Sequence, residues 1–130
     1  MNVNIGTSAT ESEVSTRLLS AEVRGSGSLE VYATPAMVAL MEKAACNALK
    51  GCLDEGQTTV GTLMNIEHLS ATPIGMKVTA TATVTAVDGR KICFSVEASD
   101  EKGLIGRGTH ERFCVLSEKF MNKTNSKFEH

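Results

Sequence analysis

The sequence predicts an α+β fold in which an antiparallel sheet curls around a single helix. Three observations predict it. One segment carries a full set of helix signals, the hydrophobic period changes from about 3.6 to about 2 residues after Gly56, and short turn motifs separate the later strands. A doubly wound parallel sheet is excluded, because it requires a helix between successive strands.

Length and charge narrow the class of protein. A chain of 130 residues corresponds to one domain, and its formal net charge is −2. This charge argues against a nucleic-acid partner, because phosphate neutralisation requires a basic face. No apolar run approaches the roughly 20 residues that span a bilayer, so we expect no membrane partner. Only 4% of the residues are aromatic, which predicts a core of small aliphatic side chains.

The two ends of the chain are polar and differ from the middle. Residues 1–12 are rich in Ser and Thr and are expected to form a flexible arm, and the first strand is expected between Val14 and Val23. A Gly/Ser-rich bend follows at residues 24–28. We therefore assign one domain to residues 13–116 and a polar tail to residues 117–130.

The helix signals begin at Thr34. This residue is a suitable N-cap, Pro35 fits the first helical position, and Gly51 is placed to end the helix. The residues between them are apolar except for one narrow polar stripe at Lys43, Asn47 and Lys50. We therefore expect the rest of the helix surface to be buried by a sheet that wraps it.

Four strands are predicted after the helix. The first runs from Thr58 to His68, and the second alternates Ala or Val with Thr over residues 77–86. The dipeptide Asp88-Gly89 is a hairpin signal that leads into alternation over residues 92–99. The last strand is expected from Leu104 to Leu116.

The cysteines and histidines predict neither disulfides nor a metal site. The cysteines (Cys46, Cys52, Cys93 and Cys114) form no CxxC motif, and no secretory signal pattern precedes them. We expect reduced, mostly buried thiols in a cytoplasmic protein. The histidines (His68, His110 and His130) make no ligand-spaced pair with a cysteine, so no metal site is expected.

Glu42 stands out on the predicted helix because its neighbours one and two turns away are apolar. A carboxylate on such a face is costly unless it is paired or hydrogen-bonded. It is either a functional group, a structural partner for an arginine from the sheet, or a surface residue at the edge of the buried stripe. The pattern leaves these interpretations open.

Thr34 and His68 each allow two interpretations. Thr34 has a sufficient role as an N-cap, but the same position places a hydroxyl beside free backbone N–H groups, where negative charge on a carbonyl oxygen would be stabilised. His68 ends a strand, either as a satisfied structural histidine or as a catalytic one.

The last two candidates lie on strands. Gly61 inside a strand indicates a bulge or a close approach to a ligand. Arg112 shares one strand face with Gly106, Gly108 and His110, the face assigned to the helix. It is a candidate partner for an anion or for Glu42, or an ordinary surface arginine.

Three blocks of sequence carry a family resemblance. YATPAMVALMEKAA, VGTLMNIEHLSATPIGMKV and GRGTHERFCV, which span roughly Val31 to Val115, resemble the hot-dog-fold thioesterases of the fluoroacetyl-CoA thioesterase type. The resemblance implies a five-stranded antiparallel sheet wrapped around one long central helix. It also implies a homodimer, or a dimer of dimers, whose chains pair edge to edge with active sites at the interface.

The resemblance also implies roles for the candidates. Catalytic Thr, Glu and His fall on Thr34, Glu42 and His68, and substrate-binding positions fall on Gly61 and Arg112. The activity implied is hydrolysis of an acyl-CoA, with no cofactor apart from the coenzyme A of the substrate. A non-catalytic acyl-CoA binding module and a hot-dog hydratase or dehydratase are the alternatives.

Two details refine this expectation. The fluoroacetyl-specific member has phenylalanines in a lid before the helix, whereas residues 24–29 contain none, so we expect a small or medium aliphatic acyl group. Thr34 and Glu42 are eight residues apart, which separates their backbones by about 12 Å on one helix. Either His68 and the substrate bridge this gap or a second subunit completes the site. We predict the latter, because the dimer that the resemblance implies brings the helix of one chain near the strands of the other.

Overall fold

Five antiparallel strands form one sheet in the order β1-β3-β4-β5-β2. The computed structural model describes residues 1–129, and the strands are β1 (Ser8–Val14), β2 (Gln57–His68), β3 (Lys77–Asp88), β4 (Lys91–Asp100) and β5 (Gly103–Leu116). The helices are α1 (Ala21–Arg24), α2 (Thr34–Ala48) and α3 (Ser117–Asn125), with 3₁₀ turns at Arg17–Leu19 and Ser126–Phe128. The α+β class and the five-stranded antiparallel sheet are confirmed.

The 15-residue helix α2 packs on one face of the sheet through a row of buried residues, namely Ala36, Met37, Leu40, Met41, Ala44, Ala45 and Ala48. Small side chains on β3 let it approach closely. A Cβ on Gly106 would lie 2.5 Å from Sδ of Met37, so that glycine also makes room for the helix. Gly108, which lies on the strand face assigned to the helix, instead makes room for the backbone of Asn65 on β2.

The alternation predicted for the later strands is confirmed. Every second residue of β4 is buried, namely Ile92, Phe94, Val96 and Ala98. Asp88 pairs with Lys91 across a tight turn in which Gly89 has a φ of 60°, as the hairpin signal predicts. Because β5 belongs to the same sheet, alternate residues of β5 also point toward α2.

The first strand lies earlier in the chain than predicted. β1 ends at Val14, and the segment expected as a strand from Val14 to Val23 holds a 3₁₀ turn and the start of α1. The polar residues of β1 face threonines of β3, with hydroxyl pairs Ser8–Thr83, Thr10–Thr81 and Ser12–Thr79 at 3.0 to 3.2 Å. This ladder of hydroxyl pairs explains why a polar segment, expected as a flexible arm, forms a strand. Residues 8–12 thus belong to an edge strand of the sheet.

The ends and faces of α2 differ from expectation in two respects. Ala33 is the N-cap, and its side chain makes no cap hydrogen bond, so Thr34 belongs to the first helical turn. Ala39 and Cys46 are exposed, so the helix is not wrapped all round within one chain. The apolar stripe on α2 therefore extends beyond the surface that the sheet of the same chain covers.

All four cysteines are free, as predicted, but only Cys114 is fully buried and Cys46 is exposed. The segment expected as a polar tail begins with α3, which contributes no buried residue. None of the helices in residues 1–129 is long and apolar enough to cross a membrane.

Candidate active site

Thr34 and His68 come together where α2 begins and β2 ends. The Thr34 hydroxyl oxygen lies 2.6 Å from Nδ1 of His68, so this side chain is engaged with the histidine rather than with the helix backbone. The other ring nitrogen, Nε2, is buried and has no hydrogen-bond partner within residues 1–129. A buried nitrogen without a partner is costly, and a ligand beside it would remove that cost.

The electrostatics of His68 favour its neutral form. Burial lowers the pKa of His68, an effect that the nearby backbone of Ser70 reduces. Near pH 7 the imidazole is therefore neutral and can accept a proton. Nδ1 of the ring is engaged with Thr34, and Nε2 is buried without a partner.

A cavity of about 290 Å³ adjoins this pair. Its lining is mostly apolar, from Ala21, Val31, Leu69 and Ala71, with Ser26 and Ser70 as polar members. Tyr32 also lines it and donates a hydrogen bond of 2.5 Å from its hydroxyl to Oε2 of Glu13 on β1. Burial raises the pKa of Tyr32, so it stays a donor and ties β1 to the segment before α2.

Glu42 lies beside Arg112, which corresponds to one of the interpretations that the sequence left open. Nη1 of Arg112 is 3.9 Å from Oε2 of Glu42, and the Glu42 side chain is 42% exposed. The guanidinium is buried and gives its other donors to Thr59, from Nε to Oγ1 at 2.9 Å and from Nη2 to the carbonyl at 3.0 Å. These two hydrogen bonds fix the orientation of the guanidinium, so that Nη1 faces Glu42.

His110 supports Arg112, a role that the sequence interpretation did not assign. Nδ1 of His110 lies 2.7 Å from the Leu63 carbonyl, which only accepts, so Nδ1 carries the proton. Nε2 is then an acceptor, 3.3 Å from Nη1 of Arg112. Burial lowers the pKa of His110, and the charge of Arg112 lowers it further. Its position two residues before Arg112 on one strand was the available signal.

Gly61 combines both features that a glycine in a strand indicates. The pairing of β2 with β5 shifts between Gly61 and Leu63, which is a bulge. A Cβ on Gly61 would lie 3.0 Å from Oε2 of Glu42 and 3.3 Å from Nη1 of Arg112. The missing side chain leaves open space next to the Glu42 carboxylate.

The five predicted residues thus form two groups within one chain. Thr34 and His68 form the first, and Glu42, Arg112 and Gly61 form the second. Among residues 1–129 no hydrogen bond or ion pair joins the two groups, and the eight residues along α2 separate them by about 12 Å. Each group holds part of what a hydrolytic site needs.

A family model of fluoroacetyl-CoA-specific thioesterases matches residues 14–118. The chain belongs to this family. A fluoroacetyl-CoA thioesterase from Streptantibioticus cattleyicolor is 43% identical to it over 98 residues, which cover 75% of this chain and 70% of that protein.

Solved structures agree with this membership of the family. A crystallised fluoroacetyl-CoA thioesterase superposes with a TM-score of 0.91 at 34% identity, covering 98% of both chains. A hot-dog-like protein from Thermanaerovibrio acidaminovorans gives a TM-score of 0.90 at 26% identity over 98% of this chain and 95% of its own. The fold is therefore hot-dog-like, and the activity class of the family is thioester hydrolysis.

Within residues 1–129, no group of three or more His, Cys, Asp or Glu side chains is arranged to hold a metal ion. His130, the third histidine considered in the sequence, lies outside the described residues.

Proposed function

We propose that this protein hydrolyses acyl-CoA thioesters to the free acid and coenzyme A. Thr34, Glu42 and His68 are the catalytic residues of the proposal, and Gly61 and Arg112 are its substrate-binding residues. The observation that carries it is the bond between Thr34 and His68, since a threonine that caps no helix is free to act on a ligand. Membership of a thioesterase family supports the same conclusion.

The thioester carbonyl binds at the start of α2 in this proposal. The Thr34 hydroxyl and the free backbone N–H groups of the first helical turn would hold the carbonyl oxygen as it gains negative charge, and the positive end of the helix dipole adds to this stabilisation. His68 would orient the Thr34 hydroxyl through Nδ1. Its Nε2, which is buried and without a partner, would exchange the proton.

Glu42 supplies the negative charge that starts the reaction, by one of two routes. As a general base it takes a proton from water, the resulting hydroxide adds to the carbonyl carbon, the C–S bond breaks and the proton passes to the sulfur of coenzyme A. As a nucleophile it forms a mixed anhydride with loss of the thiolate, and water then cleaves the anhydride. In both routes Arg112 keeps the carboxylate in position.

The site is shared between two chains of a homodimer in this proposal. β2 is an edge strand of 12 residues with an exposed Leu63, and such an edge favours pairing with another strand. Antiparallel pairing of two β2 strands across a two-fold axis brings the beginning of one beside the end of the other. Glu42 and Gly61 of one protomer then approach Thr34 and His68 of its partner. The exposed Ala39 and Cys46 on α2 would be covered in the same assembly.

Several further features belong to the proposal. We infer a cytoplasmic enzyme, which its four free thiols support, and one that needs no metal or cofactor apart from the coenzyme A of the substrate. In the dimer, α2 would be the one long central helix of each protomer. The two paired sheets would curl around these helices.

The acyl group we propose is small or medium and aliphatic. The cavity of about 290 Å³ beside Thr34 and His68 supports this size, and its apolar lining supports an aliphatic chain. The loop over residues 24–29 contributes Gly and Ser but no aromatic ring. Fluoroacetyl-CoA, which names the curated relative, is therefore one substrate to be compared with plain aliphatic ones.

Thiol release from a panel of acyl-CoA substrates tests the activity. The panel runs from short to long chains and includes fluoroacetyl-CoA, with Glu42→Gln as the inactive variant and the exposed Glu97→Gln as its matched control. We expect Glu42→Gln to lower kcat by at least about 100-fold and Glu97→Gln to leave it unchanged. Release from no substrate would overturn the proposal and favour a binding module.

Mixing two inactive variants tests the shared site. Thr34→Val and Glu42→Gln each impair one group, and a mixed dimer contains one site in which both groups are native. Random exchange should restore about a quarter of the native activity, because half of the dimers are mixed and each has one intact site. If mixing restores nothing while light scattering shows that chains exchange, each chain contains its own complete site.

A further inference from the structure

We propose that the cleft between α3 and the outer face of β5 binds the nucleotide end of coenzyme A, its adenine and phosphate groups. This inference rests on the proposed function and names a site for the part of the substrate that is distant from the thioester. The cleft, called the α3 cleft below, has a volume of about 290 Å³. It is lined by Arg90, Phe113, Val115, Leu116, Lys119, Phe120 and Lys123.

The charge of the α3 cleft is its first distinguishing feature. Three of its lining residues are cationic and none is acidic, although the chain as a whole has a net charge of −2. Within residues 1–129, neither Arg90, Lys119 nor Lys123 forms a salt bridge. Three such cations around one cleft create a positive potential that attracts a polyanion. The phosphate groups of coenzyme A carry several negative charges in one small region.

The geometry of the cations suits phosphates beside a planar ring. Lys119 and Lys123 are four residues apart on α3 and therefore share one face of that helix. The Arg90 guanidinium lies 5.3 Å from the centre of the Phe113 ring. Phe120 is 38% exposed and offers a second aromatic surface. Aromatic rings stack on bases and cationic side chains bind phosphates, so one cleft offers partners for both parts of a nucleotide.

The position of the cleft fits a substrate that reaches Glu42. Phe113 pairs with Val60, and its neighbour Arg112 pairs with Gly61. Successive residues of a strand point to opposite faces, so the cleft lies across the sheet from Glu42 and near the same end of β2. Only the edge strand β2 lies beyond β5, and one strand is about 4.8 Å wide. The pantetheine arm would bend round the segment just before β2, outside the length of strand that pairs with the partner.

The role of α3 in the fold leaves room for such a function. The helix buries none of its residues, and Phe120 and Met121 remain exposed. Core packing within the chain therefore does not account for its Lys-Phe-x-x-Lys pattern. A ligand held between α3 and β5 would bury Phe120 and neutralise the two lysines together.

The test compares two thioesters of one acyl group, one with coenzyme A and one with N-acetylcysteamine, which lacks the nucleotide. The variant Arg90→Gln/Lys119→Gln/Lys123→Gln should raise KM for the coenzyme A thioester at least about tenfold, the effect of losing roughly 1.4 kcal/mol of charged contacts. Its kcat/KM for the N-acetylcysteamine thioester should stay at the native value. Lys77→Gln, an exposed lysine on β3, is the matched control and should change neither.

Two outcomes overturn the inference. Equal losses with both thioesters would mean that the substitutions disturb the fold or the reacting site, and no loss with either would mean that the nucleotide binds elsewhere. Failure of the proposed function appears separately, as an absence of turnover of either thioester by the native chain. In that event calorimetric titration with free coenzyme A decides the matter, since the triple variant should bind it at least about tenfold more weakly than the native chain if the cleft is its site.

Discussion

Arg112 and Glu42 face each other at 3.9 Å, too far for a direct hydrogen bond and close enough for an ion pair. Because Arg112 gives its shorter bonds to Thr59, its position is set by the sheet rather than by Glu42. The carboxylate is therefore oriented by a fixed charge while its oxygens stay open to water or substrate. Arg112 thus has two roles, a structural one in its hydrogen bonds to Thr59 and an electrostatic one in its charge beside Glu42. Different substitutions test the two roles.

Substitutions of Arg112 should separate the effect of its positive charge from the effect of its hydrogen bonds to Thr59. Arg112→Lys keeps the charge but loses the pair of hydrogen bonds to Thr59, and Arg112→Gln loses both the charge and that pair of bonds. We expect kcat/KM to fall in the order native, Lys, Gln, with at least a tenfold loss for Gln, about 1.4 kcal/mol at the transition state. Urea unfolding should show a loss of about 1–3 kcal/mol for Gln, since buried donors and acceptors lose partners. Arg107→Gln, exposed on the same strand, is the control, and native activity in Arg112→Gln would contradict the assigned role.

Thr34 should matter for activity and hardly for stability. Thr34→Val keeps the shape but removes the hydroxyl that contacts His68, and Thr34→Ser retains it. We expect Thr34→Val to lower kcat/KM at least about tenfold, Thr34→Ser to lower it less, and both to unfold within about 0.5 kcal/mol of the native chain. An N-cap role would give the reverse pattern, a loss of about 1 kcal/mol in unfolding free energy with activity kept.

Gly61→Ala should displace the carboxylate of Glu42. The added Cβ would lie 3.0 Å from Oε2, so the side chain of Glu42 must shift. We expect kcat to fall by at least about tenfold, since small displacements of reacting groups are costly. The far-ultraviolet circular dichroism spectrum should be unchanged, because Gly61 has no positive φ and is exposed. Thr62→Ala, one residue further along the same bulge, should retain activity, and equal losses in both variants would point to damage of the strand instead.

His68 and His110 should make the folded state less stable in acid. Burial lowers the pKa of His68 and of His110 below the unfolded value of about 6.5. As pH falls below that value the unfolded chain binds more protons than the folded one, so the unfolding free energy decreases until the pH passes the lowered pKa values. At His110, Arg112 strengthens the shift while Glu42 and Glu111 oppose it.

The measurement is urea unfolding between pH 7.5 and pH 5 for the native chain and His110→Gln. Glutamine can donate to the Leu63 carbonyl and accept from Arg112, yet it does not titrate in this range. The variant should lose less stability across this interval than the native chain. Parallel curves for the two proteins would show that His110 does not contribute.

The catalytic pH profile should reflect His68. Since its pKa is lowered, the neutral imidazole persists below pH 6.5, and the acid limb of kcat/KM should lie under that value. His68→Gln should remove the limb along with most of the activity. A limb centred above pH 7 would require another titrating group.

Local sequence patterns were sufficient to predict the elements whose structure depends only on neighbouring residues. The alternation in β3 and β4, the Asp88-Gly89 hairpin and the apolar helix were predictable because periodicity and turn chemistry act over a few residues. The shared strand face of His110 and Arg112 was predictable for the same reason, whereas the ion pair between Arg112 and Glu42 joins elements distant in the sequence and was only one of several open alternatives.

Other features depend on residues distant in the sequence, and only the tertiary structure decided them. β1 is a strand because Ser8, Thr10 and Ser12 meet threonines about 70 residues later, an arrangement that composition alone presents as a disordered arm. Thr34 lies one position inside the helix rather than at its cap. Its hydroxyl contacts His68, which is 34 residues away in the sequence. The protonation of His110 depends on the carbonyl of Leu63 from another strand. Sequence identifies which chemical groups are present, whereas hydrogen bonds and burial depend on the folded position of atoms that the chain brings together from far apart.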